Sequence, residues 1–349
     1  MDDTEAPVVP APPAALTTSP INPATITSLV FSGGGPSGLI TYGAAKYLAE
    51  TAGFWRLADI KRMYGCSIGA LLAVALALNY PWAWLDDYFI QRPWEKLLAT
   101  SINLTALWGQ KGVLDGDFIT AIMEPLLTAK GLAAHVTLAE LYAFTGVDIH
   151  LFTTNVNAAA LATTTDVGAG GGGMNKCGFA KVDLSHTTHP DLPVCRALHM
   201  TMAFPLAFTP VYDPDTLALY IDGGLLNNYP VNDCLAKAAS TAETAANVLA
   251  FKNSWRSTAA SKKLPHLAND SSLAEFLLTI IKQMARAFDT STTQEALANT
   301  VECIIEDLEG FDNWIKAFST IESRQRLVTL GSDQARAFLA GRPVDRSDR

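Results

Sequence analysis

Tyr64-Gly65-Cys66-Ser67-Ile68-Gly69-Ala70 decides how the rest of the chain is read. Residues 59–64 before it have the character of a strand. Residues 67–78 after it form an Ala- and Leu-rich run that reads as a helix, stopped by Asn79 and Pro81. A G-x-S-x-G pentapeptide between a strand and a helix is the setting in which that pattern means a nucleophile elbow. The turn is sharp, and a side chain at either flanking position would collide with the neighbouring strand or helix, which accounts for Gly65 and Gly69. Ser67 then stands at a helix N-terminus, where the dipole favours developing negative charge. The plainer alternative is a serine that only caps the helix.

Upstream, residues 26–31 read as a buried strand, broken by Gly33-Gly34-Gly35-Pro36-Ser37-Gly38 and followed by helical character over 39–50. Consecutive glycines leave backbone N–H groups free to converge on an anion, and in acyl transfer that anion is the tetrahedral oxyanion. The same residues satisfy G-x-G-x-x-G, the dinucleotide fingerprint. That reading needs an acidic residue about 20 positions on at the end of a second strand. Glu50 has the spacing but ends a helix, so the dinucleotide reading is disfavoured. Downstream, the strand Leu219-Tyr220-Ile221 ends at Asp222-Gly223-Gly224, which would put a carboxylate at the active edge of a parallel sheet, with glycines that let another segment come close. Taken alone it would be an ordinary Asp-Gly turn.

Further strands are expected over 147–153 and 248–251, and helices over 115–129, 137–144 and 191–204. This alternation implies an α/β fold with a mainly parallel central sheet and helices on both faces. Residues 1–25 read as a Pro/Ala-rich disordered tail, 26–235 as the catalytic domain and 236–349 as a largely helical C-terminal extension that completes it. Within the extension, 253–318 reads as a helical appendage, 327–330 as a short strand and 333–340 as a helix. Leu273, Phe276, Leu277, Ile280, Ile281, Met284 and Phe288 recur at helical spacing. They fit a helix packed on the sheet or, alternatively, a lipid-facing lid. The aromatic run of Trp82, Trp84, Tyr88 and Phe89 fits helix packing or an acyl channel, and Gly168 to Gly173 is a loop.

A net charge of −9 over 349 residues argues against a nucleic-acid partner. Cys66, Cys177, Cys195, Cys234 and Cys303 form no CxxC pair, which argues against zinc and favours reduced thiols in an intracellular compartment. The N-terminus is acidic and holds no apolar block, and the apolar run 70–78 is too short to span a bilayer. A soluble or peripheral chain is expected.

The conjunction of glycine loop, serine elbow and aspartate turn, in that order and each after a strand, resembles a patatin-like phospholipase (PNPLA) domain. Its hallmarks are G-G-G-x-[RK]-G, G-x-S-x-G and D-G-[AG]. Ala203-Phe204-Pro205-Leu206-Ala207-Phe208-Thr209-Pro210-Val211 is similar to the family's A-x-P-x-x-F-x-P-V segment, and Asn227-Asn228-Tyr229-Pro230 fits the stretch after the aspartate. The resemblance implies a three-layer sandwich and a serine acyl-ester hydrolase that releases fatty acid from a lipid ester at a membrane or lipid surface. It further implies a Ser67–Asp222 dyad, an oxyanion loop of Gly33, Gly34, Gly35 and Gly38 whose donors are the N–H groups of Gly34 and Gly35 with Gly33 as a further candidate, and no metal or organic cofactor. One departure is plain: Ser37 stands where the family has Arg or Lys. The alternative is a catalytically weak or inactive lipid-binding scaffold with the same fold. A triad through His266 or His199 is disfavoured, the first lying in a polar segment and the second reading as a packed helical histidine.

Overall fold

Successive residues of the strand Ser28–Phe31 (β1) point into two different cores. Leu29 and Phe31 join one hydrophobic cluster and Val30 the other, and all three are closed to water. The alternation recurs in Arg62–Cys66 (β2), with Met63 on one face and Tyr64 on the other. A strand that is apolar on both faces must be covered on both. The helices Gly38–Lys46 (α1) and Ile68–Ala77 (α2) cover one face, and Val231–Ser240 covers the other.

The computed structural model describes residues 26–161, 178–241, 243–255, 276–277, 279–281, 283–284, 297–305 and 311–341. The expected tail, the loop Gly168 to Gly173, Cys177 and His266 lie outside these residues. The remaining strands are Gly112–Leu114 (β3), Asp148–Asn155 (β4), Ala180–Leu184 (β5), Leu206–Phe208 (β6), Val211–Tyr212 (β7), Leu219–Asp222 (β8), Val248–Trp255 (β9) and Thr300–Ile305 (β10). The central sheet runs β10-β9-β1-β2-β4-β8-β7, with β5 also pairing β4, while β3 and β6 form a small separate sheet. The five strands from β10 to β4 are mutually parallel.

The register along β4 positions the site. β2 pairs β4 in parallel up to Cys66↔Phe152. β8 pairs β4 antiparallel from Asn155 back to Thr153↔Asp222. β5 overlaps both partners along β4, so it occupies the opposite edge, and β2 and β8 share one edge. Running in opposite directions, they meet end to end: Cys66, the last residue of β2, and Asp222, the last of β8, face neighbouring β4 residues. The strand-end position of Asp222 is as expected from sequence, but β8 is not one of the parallel strands. The head-on meeting, not a common carboxyl edge, brings the aspartate to the elbow.

β3, β5, β6 and β7 are not among the strands expected from the sequence, and two segments of the C-terminal extension differ from its reading. Thr300–Ile305, inside the expected helical appendage, is a sheet strand, with Val301, Cys303 and Ile305 buried in the larger core. Residues 327–330, expected as a strand, belong to one continuous helix, Ile321–Leu339, capped by the Thr320 side chain accepting from the Ser323 amide. Gly331 looks like a break but is a contact. A Cβ there would lie 1.9 Å from the Ile40 carbonyl oxygen, and a Cβ at Gly43 would lie 2.0 Å from that of Val328. Glycine lets the helix press against α1, and that burial outweighs the β preference of Val328 and Thr329.

Candidate active site

Ser67 sits between β2 and α2 at φ 52°, ψ −126°, outside the regions a non-glycine residue favours. Such strain persists where the surroundings enforce it, and they do so here. A Cβ at Gly65 would come 2.6 Å from the Gly69 carbonyl oxygen, and one at Gly69 2.4 Å from the Phe31 oxygen, so the elbow is wedged between α2 and β1. The Ser67 N–H donates to Thr201 Oγ1 at 3.0 Å, and the Thr201 hydroxyl donates in turn to the Phe152 carbonyl of β4. Nothing in the sequence singles out Thr201, a buried threonine in the helix Val194–Met202.

Asp222 is 5% exposed, and among the described residues no cation contributes to its electrostatics. Burial pushes its carboxyl up from 3.8 to about 6, against the Ser67 hydroxyl, the Gly224 N–H and the Cys66 thiol, which all favour the charged form. The Gly224 N–H donates to Oδ1 at 2.7 Å, and the Cys66 thiol approaches the same oxygen at 3.9 Å. Gly223 is packed with no room to spare: its Cβ would lie 2.1 Å from the Phe152 carbonyl oxygen.

The glycine loop arrives from β1. A Cβ at Gly33 would stand 3.1 Å from that of Ser67, so the loop abuts the elbow. Its peptides are oriented through their carbonyls. The Gly33 carbonyl accepts from the side-chain amides of Asn253 at 3.0 Å and Asn228 at 3.4 Å. The Gly34 carbonyl accepts from the Ser37 hydroxyl at 2.9 Å. In a trans peptide the N–H points opposite to the C=O. Fixing the two carbonyls therefore fixes the N–H groups of Gly34 and Gly35, and among the described residues neither has a recorded acceptor. The Gly33 N–H is spent on the Asn228 carbonyl, and the Gly38 N–H on Gly35 and Pro36. Ser37, in place of a cation, is closed to water and braces the loop. Asn253 on β9 carries no sequence signal.

Gly33, Gly34, Gly35, Gly38, Ser67, Asp222 and Gly224 all line one cavity of about 540 Å³, whose walls are otherwise largely apolar. Gly65, Gly69 and Gly223 shape it from behind. Of the aromatic run, Phe89 reaches the cavity; Trp82, Trp84 and Tyr88 pack in the core. The described residues of the 273–288 segment are helical, and Thr279, Ile281 and Met284 line the cavity. His199 is not in the wall: one ring nitrogen lies 2.9 Å from the Thr209 carbonyl, and burial lowers its pKa. Among the described residues no group of His, Cys, Asp or Glu is arranged to hold a metal ion, and no helix is long and apolar enough to cross a membrane.

Comparison with known proteins bears on this arrangement. The chain is 28% identical to the uncharacterized protein YqhO of Bacillus subtilis over 214 residues, covering 58% of this chain and 64% of the relative. It is 24% identical over 219 residues to the probable lipid hydrolase 463L of invertebrate iridescent virus 6, covering 61% and 64%. The chain thus spans less than two thirds of these relatives. Among solved structures, VipD from Legionella pneumophila aligns with 91% of this chain and 67% of its own at 14% identity and a TM-score of 0.47. The family model for patatin-like phospholipases matches residues 29–235, from β1 into the helix after the Asp222 turn. With more than half of its length matched, the chain belongs to the patatin-like phospholipase family.

Proposed function

We propose that the chain is a serine acyl-ester hydrolase acting on a lipid ester, with Ser67 as nucleophile and Asp222 as its base. The observation that carries this reading is the meeting of β2 and β8 on one edge of β4, with a strained serine and a desolvated carboxylate beside an apolar cavity. An aspartate at its ordinary pKa is a weak base; one raised to about 6 is better matched to work near neutrality while still mostly charged.

In the first half-reaction Asp222 takes the Ser67 hydroxyl proton as Oγ bonds to the ester carbonyl carbon. The N–H groups of Gly34 and Gly35 receive the oxyanion, and loss of one such donor typically costs about 2.7–4 kcal/mol of barrier. Collapse of the intermediate expels the alcohol, which takes the proton from Asp222. In the second, Asp222 deprotonates a water that attacks the acyl-serine and returns that proton to Ser67 Oγ as the fatty acid leaves. The apolar wall suits an acyl chain. Ser37, Asn228 and Asn253 act as positioning residues, holding the two donors before substrate arrives.

The test is fatty-acid release from a panel of phospholipids, lysophospholipids, galactolipids and glycerides, wild type against Ser67→Ala. Release by the wild type alone is the expected result. Lipid binding without release by either would support the scaffold alternative.

A further inference from the structure

Two stretches of the cavity wall run outward and expose large apolar side chains. The first leaves the wall at Leu98 and rejoins it at Leu114. The Asn103 N–H donates to the Val113 carbonyl at 2.8 Å and closes the base of this excursion. At its tip Leu104 is 71% exposed and Trp108 80%, the two most exposed large apolar side chains among the described residues. In the second, Ile281 and Met284 line the cavity while Phe276 and Ile280 face solvent, 44% and 37% exposed. Single exposed apolar residues need no explanation. Here two groups each stand on a segment that also walls the apolar cavity.

Charge is distributed to match. Residues 97–114 contain no acidic residue in a chain that has 34, and the exposed Lys96 and Lys111 flank the tip. A net charge of −9 repels anionic lipid from most of the surface. Along this tip that repulsion is weakened, with Glu95 and Asp115 standing just outside it. Tryptophan and lysine are also the side chains that settle at a membrane–water boundary.

We propose that the tip carrying Leu104 and Trp108 docks the protein on a lipid bilayer surface, with the cavity mouth turned toward it. The proposal rests on the reading of the cavity as a lipid acyl site. Neither Leu104 nor Trp108 lines the cavity, so docking and chemistry can be separated.

The experiment floats the full chain with phosphatidylcholine vesicles, with and without phosphatidylglycerol, for wild type and Leu104→Ser/Trp108→Ser. In parallel it measures hydrolysis of a water-soluble short-chain ester and sedimentation without lipid. The wild type is expected to float, more strongly with phosphatidylglycerol. The double variant should lose vesicle partitioning by at least about tenfold, equivalent to about 1.4 kcal/mol, while keeping soluble-ester hydrolysis within about twofold. Equal flotation of variant and wild type, or no flotation of the wild type, overturns the proposal. So does a dimer broken by the variant with no change in flotation, which assigns the tip to a second copy of the chain. Vesicle binding lost in the variant, with no ester hydrolysis by the wild type, leaves docking standing and removes the hydrolase reading instead.

Discussion

The two ends of β4 hold buried ionisable groups under opposite conditions. At the amino end, His150 lies between Asp183, 2.8 Å from Nδ1, and Asp148, 3.3 Å from Nε2, and His186 approaches Asp148 at 3.1 Å. Tyr64 stacks on His150 and Tyr142 on His186. Burial works against both charges, yet the partners prevail: His150 is raised to about 9 and Asp148 is lowered. At the carboxyl end, beside Phe152 and Thr153, Asp222 has no cation among the described residues, and burial prevails, lifting it to about 6. A charge matched by neighbours is fixed and structural. A charge left without a counterion is costly to keep, and in the proposed mechanism it is the one that takes the proton.

The contrast can be broken most severely at Ser67. Ser67→Ala should lower ester hydrolysis by on the order of 10⁴–10⁶-fold, with an unchanged circular dichroism spectrum, read by fatty-acid release. Asp222→Asn should cost on the order of 10⁴-fold and also alter stability. Because the folded pKa of Asp222 is raised, its ionisation opposes folding as pH rises from 3.8 through about 6. The asparagine variant should therefore be more stable than wild type above that window, by up to about 3 kcal/mol, and equal to it near pH 3. Urea unfolding at both pH values checks this, and a variant less stable at neutral pH would contradict the unpaired state of the carboxylate.

The other end should respond the opposite way. His150→Leu leaves Asp148 and Asp183 without their cation and should destabilise the fold by about 2–3 kcal/mol at neutral pH, discounted from a fully buried pair because Asp183 is part-exposed. The raised pKa of His150 means that its contribution is full below 6.5 and fades as pH rises through about 9, so wild type and variant should converge at high pH. Activity per folded molecule should be unchanged. The smallest effect is expected at Asn253→Ala, which frees the Gly33 carbonyl on one side only. A fall of about tenfold in kcat with KM unchanged would mark a positioning role, and Asn253→Gln should recover part of it.

Much of this was legible in the sequence, because elbow, glycine loop and Asp-Gly-Gly turn depend on local backbone geometry that only a few residue types can adopt. Ser67 and Gly65 announce themselves in five residues. What brings Asp222 to Ser67 is not local. The reversal of β8 along β4 depends on pairings more than 60 residues apart, which periodicity does not encode. Thr201 and Asn253 are ordinary polar residues until the fold aims them at the elbow and the loop. Residues 327–330 read as a strand apart from the helix over 333–340 because a sequence does not reveal that Gly331 gives another helix the space it needs.

The proposed coupling of Ser67 to Asp222, a desolvated carboxylate with no cation beside it among the described residues, is tested most directly by the pH dependence of fluorophosphonate labelling. The second-order rate of modification at Ser67 should rise with pH to a plateau, with a midpoint near 6, vanish in Ser67→Ala, and fall steeply without a midpoint in Asp222→Asn. Labelling that is flat across this range, or as fast in Asp222→Asn as in wild type, would contradict it.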